Sequence, residues 1–314
     1  MVPSVVFLAA IFPLLHCLES NIRSDEFIQM INEIQDAWTA GPNFHEHSYV
    51  KNLLSALPNR EEKLPLQIVD VKKRLPDDFD GRQSWKRCRS VGRVKEQGNC
   101  ASAWALVATG VFSDRMCISK VSNVEVSAQN VLSCCRLCGV NCFGGYVSEA
   151  LAFLARSGAP SKKCHPYELY GCPKIQGLMS CPEVRAYNPR CRGYCRPPYP
   201  KRPFQDLHQA TGAYSIANNS DVIMSEIISK GPVAAVMDVY EDLMVYKSGV
   251  YSYTAGRQLG QHPVKVVGWG EDQGRPYWLV VNTWGSLWGD KGVLKIARKT
   301  NGCNLEKRVF GLSP

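Results

Sequence analysis

The stretch QGNCASAWA, Gln97 to Ala105, decides how the chain is read. It sets a glutamine amide ahead of a cysteine and then opens an apolar run at Trp104, as the front half of a nucleophile site does. Residue 103, where a nucleophile would stand, is alanine. A cysteine peptidase needs a thiolate, an imidazole to hold its proton, a group that orients the imidazole, and donors for the oxyanion. Gln97 supplies such a donor, His262 an imidazole, and Asn282, within VNTWGSLWG, an orienting amide. Taken singly, a Gln, His or Asn is more often structural, so their order and surroundings must carry the argument.

The chain has 314 residues, 45% hydrophobic and 21% charged, which places it among ordered globular proteins. Its opening, MVPSVVFLAAIFPLLHCLES, holds an apolar run from Val5 to Leu15, far short of the ~20 residues that span a bilayer. Residues 1–20 read as a signal peptide cut between Cys17 and Ser20, although the usual positive n-region is missing. No later stretch is long and apolar enough for a membrane span. The expected location is the secretory pathway, extracellular or lysosomal, and the expected state is a monomer.

Fourteen cysteines behind such a signal favour disulfides. Loss of Cys17 leaves an odd number, so at least one is unpaired within the chain. Zinc competes through Cys135-x-x-Cys138 and Cys138-x-x-x-Cys142, but no histidine lies near these pairs in sequence, and neither metal nor cofactor is expected. The formal charge is +9. A local cluster, RCRGYCRPPYPKRP (Arg190 to Pro203), could attract acidic glycans, membranes or acidic partners, yet its plainer reading is a solvated loop tethered by disulfides. No nucleic-acid motif accompanies the charge.

Along the chain, Phe27, Ile28, Ile31 and Ile34 fall at helical spacing behind a Ser24 cap. Cysteines are absent from residues 18 to 87, and the basic run Lys72-Lys73-Arg74 precedes Leu75-Pro76. Residues 21–74 therefore read as a removable pro-segment and 75–314 as the main domain. Helices are expected over Trp104–Cys117, from a Ser127 cap through Leu132, and over Ser148–Arg156. The second half predicts a helix over Asp221–Lys230 stopped by Gly231-Pro232, followed by strands in PVAAVMDV, VKVVGWG, YWLVVNTW and VLKIAR. Asn218-Asn219-Ser220 is a glycosylation sequon on Asn218.

These pieces together resemble the papain-like cysteine peptidases, and cathepsin B-like members in particular. Cys100-Ala101-Ser102-Ala103-Trp104 matches their nucleophile signature at three of five places. Further matches are DEFIQMINEIQDAWTAGPNF, LPDDFDGR, VEVSAQNVLSCC, FGGYVSEA, GPVAAVMDVYEDLMVYKSGVY, the long VKVVGWG to GDKG segment, and the terminal NGC. The resemblance implies an α+β, two-domain fold: a helical left domain, an antiparallel β-barrel-like right domain and a cleft between them. It implies Gln97 in the oxyanion hole, His262 as base, Asn282 orienting it, Trp284 covering it, and Gly144-Gly145 along the substrate backbone. It also implies disulfides Cys88–Cys117, Cys100–Cys142, Cys134–Cys191, Cys135–Cys138, Cys164–Cys195 and Cys172–Cys181, with Cys303 left free.

Departures from the family pattern matter as much. Ala103 replaces the nucleophile, Ala101 a glycine, and Arg308 stands where cathepsin B carries an acid in its S2 pocket. Pro263 follows His262, which suits an extended backbone there. GCPKIQGLMSC resembles the occluding loop but lacks its paired histidines, and Leu54-Ser55 stands where the family pro-segment has Cys-Gly crossing the cleft. Rescue by Ser102 or Cys100 is not expected. The resemblance thus predicts an inactive homologue that binds peptides, cysteine-peptidase inhibitors or another protein. Two alternatives stand beside it: an active endopeptidase whose native gene encodes cysteine at 103, and a matrix-type structural homologue.

Overall fold

A computed structural model describes residues 24–45, 48–58, 64–169, 171–183, 187–299 and 302–314; the expected signal peptide lies outside them. The N-terminal helix α1 (Asp25–Ile34) starts where the sequence places it, with Ser24 Oγ accepting from the Phe27 amide at 3.2 Å. It buries Phe27 and Ile31. The short strand β1 (Trp38–Ala40) follows, and later β2 (Phe79–Asp80) leads into the single turn α2 (Gly81–Ser84).

The left half is built on α3 (Ala103–Ile118), whose residues 103–116 are all buried. A helix apolar all round belongs inside, and here it packs with α4 (Ala128–Cys134) and α5 (Val147–Arg156) around Trp104, Val111, Phe112, Leu132 and Leu151. Ser127 caps α4 as expected, accepting from the Asn130 amide at 3.0 Å. Helix α5 forms where expected and begins one residue earlier, at Val147, with Tyr146 as an N-cap that makes no side-chain capping bond. Six disulfides form with the pairings the resemblance implies, most of them in this half. Cys135, Cys138 and Cys142 are consumed by them, which removes the zinc reading. Two small ladders join its loops: β3 (Ala159–Pro160) with β6 (Leu207–His208), and the hairpin β4 (Lys174–Ile175) with β5 (Leu178–Met179).

The right half holds α6 (Ser220–Lys230), capped by Asn219, and the large sheet. Its strands are β7 (Gly212–Ile216), β8 (Val233–Tyr240), β9 (Tyr246–Tyr251), β10 (Gln258–Asp272), β11 (Arg275–Val281), β12 (Val293–Ala297) and β13 (Val309–Ser313). They run in the order β1-β9-β12-β11-β10-β8-β13-β7, with β2 beside β10. The expected barrel-like closure does not occur, and β12 pairs with β9 in parallel. The N-terminal segment covers both outer strands. Strand β1 pairs antiparallel with β9. At the far side the Ser215 amide of β7 donates to the Pro65 carbonyl, and the Gln67 amide returns a bond to Ser215, both at 2.9 Å. The sheet ends are thus paired with added chain instead of with each other.

Two buried ion pairs tie the halves among the described residues. Arg115 on α3 reaches Glu226 on α6 at 3.0 Å. Lys265 on β10 reaches Asp114 on α3 at 2.7 Å and the Ser90 carbonyl at 3.0 Å.

Candidate active-site cleft

The loop before α3 is held from three sides. The Gln97 amide donates to the Thr283 carbonyl at 2.9 Å, the Ala101 amide donates to the Cys142 carbonyl at 3.0 Å, and Cys100 is bonded to Cys142. The phenol of Tyr167 donates to the Gln97 carbonyl at 2.8 Å and lies 2.6 Å from Ser102 Oγ. Burial pushes that phenol well up, so it stays protonated and can donate. Ala103 is the first residue of α3 and is fully buried.

Across the cleft, His262 lies on β10, Asn282 just beyond β11, and both are buried. Asn282 Oδ1 accepts from the Thr283 amide at 2.8 Å and stands 3.0 Å from His262 Nε2. An acceptor on that side assigns the Nε2–H tautomer and leaves Nδ1 with a lone pair. Nδ1 has no hydrogen-bond partner among the described residues. Burial lowers the imidazole pKa to about 3, against upward pulls from Asn282 and the Leu53 backbone. Trp284 covers the imidazole with ring centroids 4.8 Å apart, and Trp288 backs Trp284 edge-on.

Thr283 was not singled out in the sequence, yet it joins the two sides. Its hydroxyl donates to Gln97 Oε1 at 2.9 Å and stands 3.3 Å from His262 Nε2. The signal was its place between Asn282 and Trp284. Pro263 is accommodated because the Val236 amide opposite it donates to the Arg308 carbonyl, just ahead of the next strand, at 3.0 Å. That leaves Pro263 in a non-bonded pair, where a missing N–H removes no ladder bond.

Residues 53–57 of the N-terminal segment fill the cleft. The Leu53 carbonyl accepts from Gln97 Nε2 at 3.1 Å and from Trp284 Nε1 at 3.2 Å. Ser55 is fully buried, with its Oγ 3.2 Å from Gln97 Nε2. Its carbonyl accepts from the Gly145 amide at 3.0 Å, and the Leu57 amide donates to the Gly145 carbonyl at 3.2 Å. Ala56 donates to the Gln261 carbonyl on the other wall at 3.1 Å. The expectation that Leu54-Ser55 crosses the cleft is met. Gly145 has no room for a side chain, since a Cβ would sit 2.6 Å from the Cys138 carbonyl and 2.7 Å from the Trp104 ring. Gly144 holds a φ of 110°, a region that favours glycine.

The β4–β5 hairpin, closed by Cys172–Cys181, clasps the same segment. His45 donates to the Met179 carbonyl at 2.8 Å, and Tyr49 donates to the Cys181 carbonyl at 2.7 Å. Arg308 lies half-buried just before β13, and no hydrogen bond joins its guanidinium to Gln97, His262 or Asn282 among the described residues. Cys303 is buried and free, its thiol pushed up to about 12 by burial, so it is a poor nucleophile. Asn218 is exposed just ahead of α6. No group of metal-ligating side chains occurs among the described residues.

The chemistry available is therefore an orienting amide, a neutral imidazole with an open nitrogen, and a carboxamide donor already aimed at a carbonyl oxygen. Residues 75–312 match the family described as "Papain family cysteine protease", and residues 23–60 match "Peptidase family C1 propeptide". The chain is 35% identical over 306 residues to "Cathepsin B-like cysteine proteinase 5" of Caenorhabditis elegans, covering 91% of this chain and 88% of that one. It is 37% identical to "Cathepsin B-like cysteine proteinase 3" of the same organism, covering 90% and 80%. Among solved structures it is similar to "proCathepsin B S9 from Trypanosoma congolense", with a TM-score of 0.84, 30% identity, and coverage of 94% and 99%. The chain belongs to the papain family of cysteine proteases and is similar to its cathepsin B-like members.

Proposed function

We propose that this protein does not turn over peptides and uses its cleft to bind extended peptide, whether its own segment, an inhibitor or another protein. The observation that carries the reading is Ala103 at the start of α3, a position at which the helix N-terminus would stabilise a thiolate. A methyl group neither ionises nor attacks. Where nucleophile and base act as a unit, losing the nucleophile costs on the order of 10⁶ in turnover.

Binding is supported by the way residues 53–57 are held from both walls, by Gly145 on one side and Gln261 on the other. These contacts are mainly backbone bonds and would accept many sequences. The test is turnover of fluorogenic peptides by purified protein after removal of residues 21–74, beside a Gln97→Ala control. Turnover that disappears in the control defeats the reading.

A second reading is an active endopeptidase with cysteine encoded at position 103. It is favoured by the completeness of the Gln97, Thr283, His262 and Asn282 array, and the codon in the source transcript decides between the two. With either, the protein enters the secretory route and Asn218 carries a glycan; mass spectrometry of the secreted form, before and after glycosidase, tests both points.

A further inference from the structure

Two spaces open in the left half outside the cleft. The wider is a basic groove of about 1090 Å³, rimmed by the exposed cations Lys86, Arg87, Arg89, Lys163 and Lys201, the last from the basic run singled out in the sequence. Its charges stand in water and attract anions without discriminating among them. The narrower is a pocket of about 280 Å³ bounded by residues 93–96, α3 and α4. None of Ala103, Gly145, His262 or Asn282 lines it.

The pocket combines an apolar wall with one poorly partnered charge. Val94, Leu106, Val126 and Ala128 supply the wall, Tyr167 adds a ring, and Lys95 brings an ammonium. An ammonium has three donors. The one hydrogen bond of this group among the described residues goes to the Leu106 carbonyl at 3.3 Å, longer than a usual N–H···O bond. Burial and the charge of Lys265 lower its pKa to about 8, so it stays cationic at neutral pH while short of water and of acceptors.

The nearby carboxylates are directed elsewhere. Asp114 gives its Oδ2 to Lys265 at 2.7 Å and makes no bond to Lys95 among the described residues. Glu125 is shared by Arg93 and Lys162, the other two cations of the lining. Glu96 also lines the pocket, but its carboxylate lies against Gly171, where an added Cβ would meet it at 2.1 Å.

We propose that this pocket binds a small amphipathic acid, an apolar body ending in one carboxylate that pairs with Lys95. The apolar wall rewards burial of the body, and a carboxylate gives the ammonium a charge-assisted bond where it now has only a long neutral one. The volume suits one small molecule and no oligomer. A single unneutralised cation matches one negative charge in preference to a dianion or a polyanion. The occupant would also touch Tyr167, whose phenol holds the Gln97 carbonyl and stands beside Ser102, so binding bears on the loop before α3. The inference does not depend on whether the cleft is active.

The experiment is calorimetric titration of the full chain with octanoate near neutral pH. Two controls accompany it: octanamide, which has the body without the charge, and acetate, which has the charge without the body. One saturable site that takes octanoate about tenfold or more tighter than either control supports the proposal. Lys95→Gln should bring octanoate down to the affinity of octanamide. Ala128→Phe, which fills the pocket from its α4 wall, should weaken octanoate about tenfold or more, whereas Arg87→Ala in the open groove should change it less than about twofold. Absence of saturable binding, equal affinity for octanoate and either control, or undiminished octanoate binding in Lys95→Gln or Ala128→Phe overturns it, as does an equal loss in Arg87→Ala. The thermal midpoint of each variant reports folding. Lys95→Gln removes a charge that repels Lys265 and should leave the midpoint in place, so the comparison stands even if Ala128→Phe does not fold.

Discussion

The cleft and the basic groove flank the same left half but treat polar groups in opposite ways. In the cleft, Gln97, Ser55, His262 and Asn282 are buried and bonded, and the chain itself fills the space. In the groove, the cations stand in water and the space is open. A desolvated site is expensive to build and sensitive to each atom, whereas an exposed one rests on summed charge and tolerates single losses. Changes in the cleft should therefore be abrupt and changes in the groove graded.

The largest effect expected is from Ala103→Cys. With residues 21–74 removed, this variant should turn over fluorogenic peptides on the order of 10⁵ to 10⁶ times faster than the parent; with the segment in place it should stay blocked. A trimmed variant that binds peptide but gives no turnover would show that the remaining array is not competent.

Next is pH. The imidazole of His262 titrates at about 3 when buried beneath residues 53–57, below the ordinary value near 6.5. The released form, with the ring open to water, therefore binds more protons between those values. By linkage, the occluded form is favoured above about pH 6.5 and loses ground as pH falls, by up to about tenfold per unit. Protease sensitivity of residues 53–57 measured against pH should follow this trend, and His262→Gln should flatten it. A steepness unchanged in that variant would assign the effect to another group.

The ion pair of Lys265 and Asp114 extends the contrast into the core. Lys265→Met leaves a buried carboxylate unpaired and should cost about 3–5 kcal/mol in denaturant unfolding. Lys163→Ala in the groove should shift stability by no more than about 0.5 kcal/mol. Similar losses from the two would erase the distinction between buried and exposed charge on which the contrast rests.

Much of this was legible in the sequence where one local rule dominates. Ser24, Ser127 and the Gly231-Pro232 stop marked helix ends because capping and chain breaking are decided by adjacent residues. Tyr146 carries no sequence signal as the cap of α5, because it makes no side-chain capping bond. Gln97, His262 and Asn282 were readable through their surroundings, but Thr283 and the Leu53 carbonyl were not. A linking hydroxyl looks like any threonine, and a carbonyl has no side chain to betray it. The groove escaped for another reason, since Lys86, Lys163 and Lys201 meet only after folding and cross-linking. The open sheet was unreadable because its outer strands pair with residues far away in sequence.

That last point gives the N-terminal segment a second duty. By pairing with β9 through Trp38–Ala40 and with β7 through Pro65 and Gln67, it terminates hydrogen-bonding ladders at both ends of the sheet. Cutting it away unplugs the cleft and also leaves two unsatisfied strands, some distance from it, free to recruit another chain. Whatever severs the segment thus converts a self-completed molecule into one with two adhesive margins.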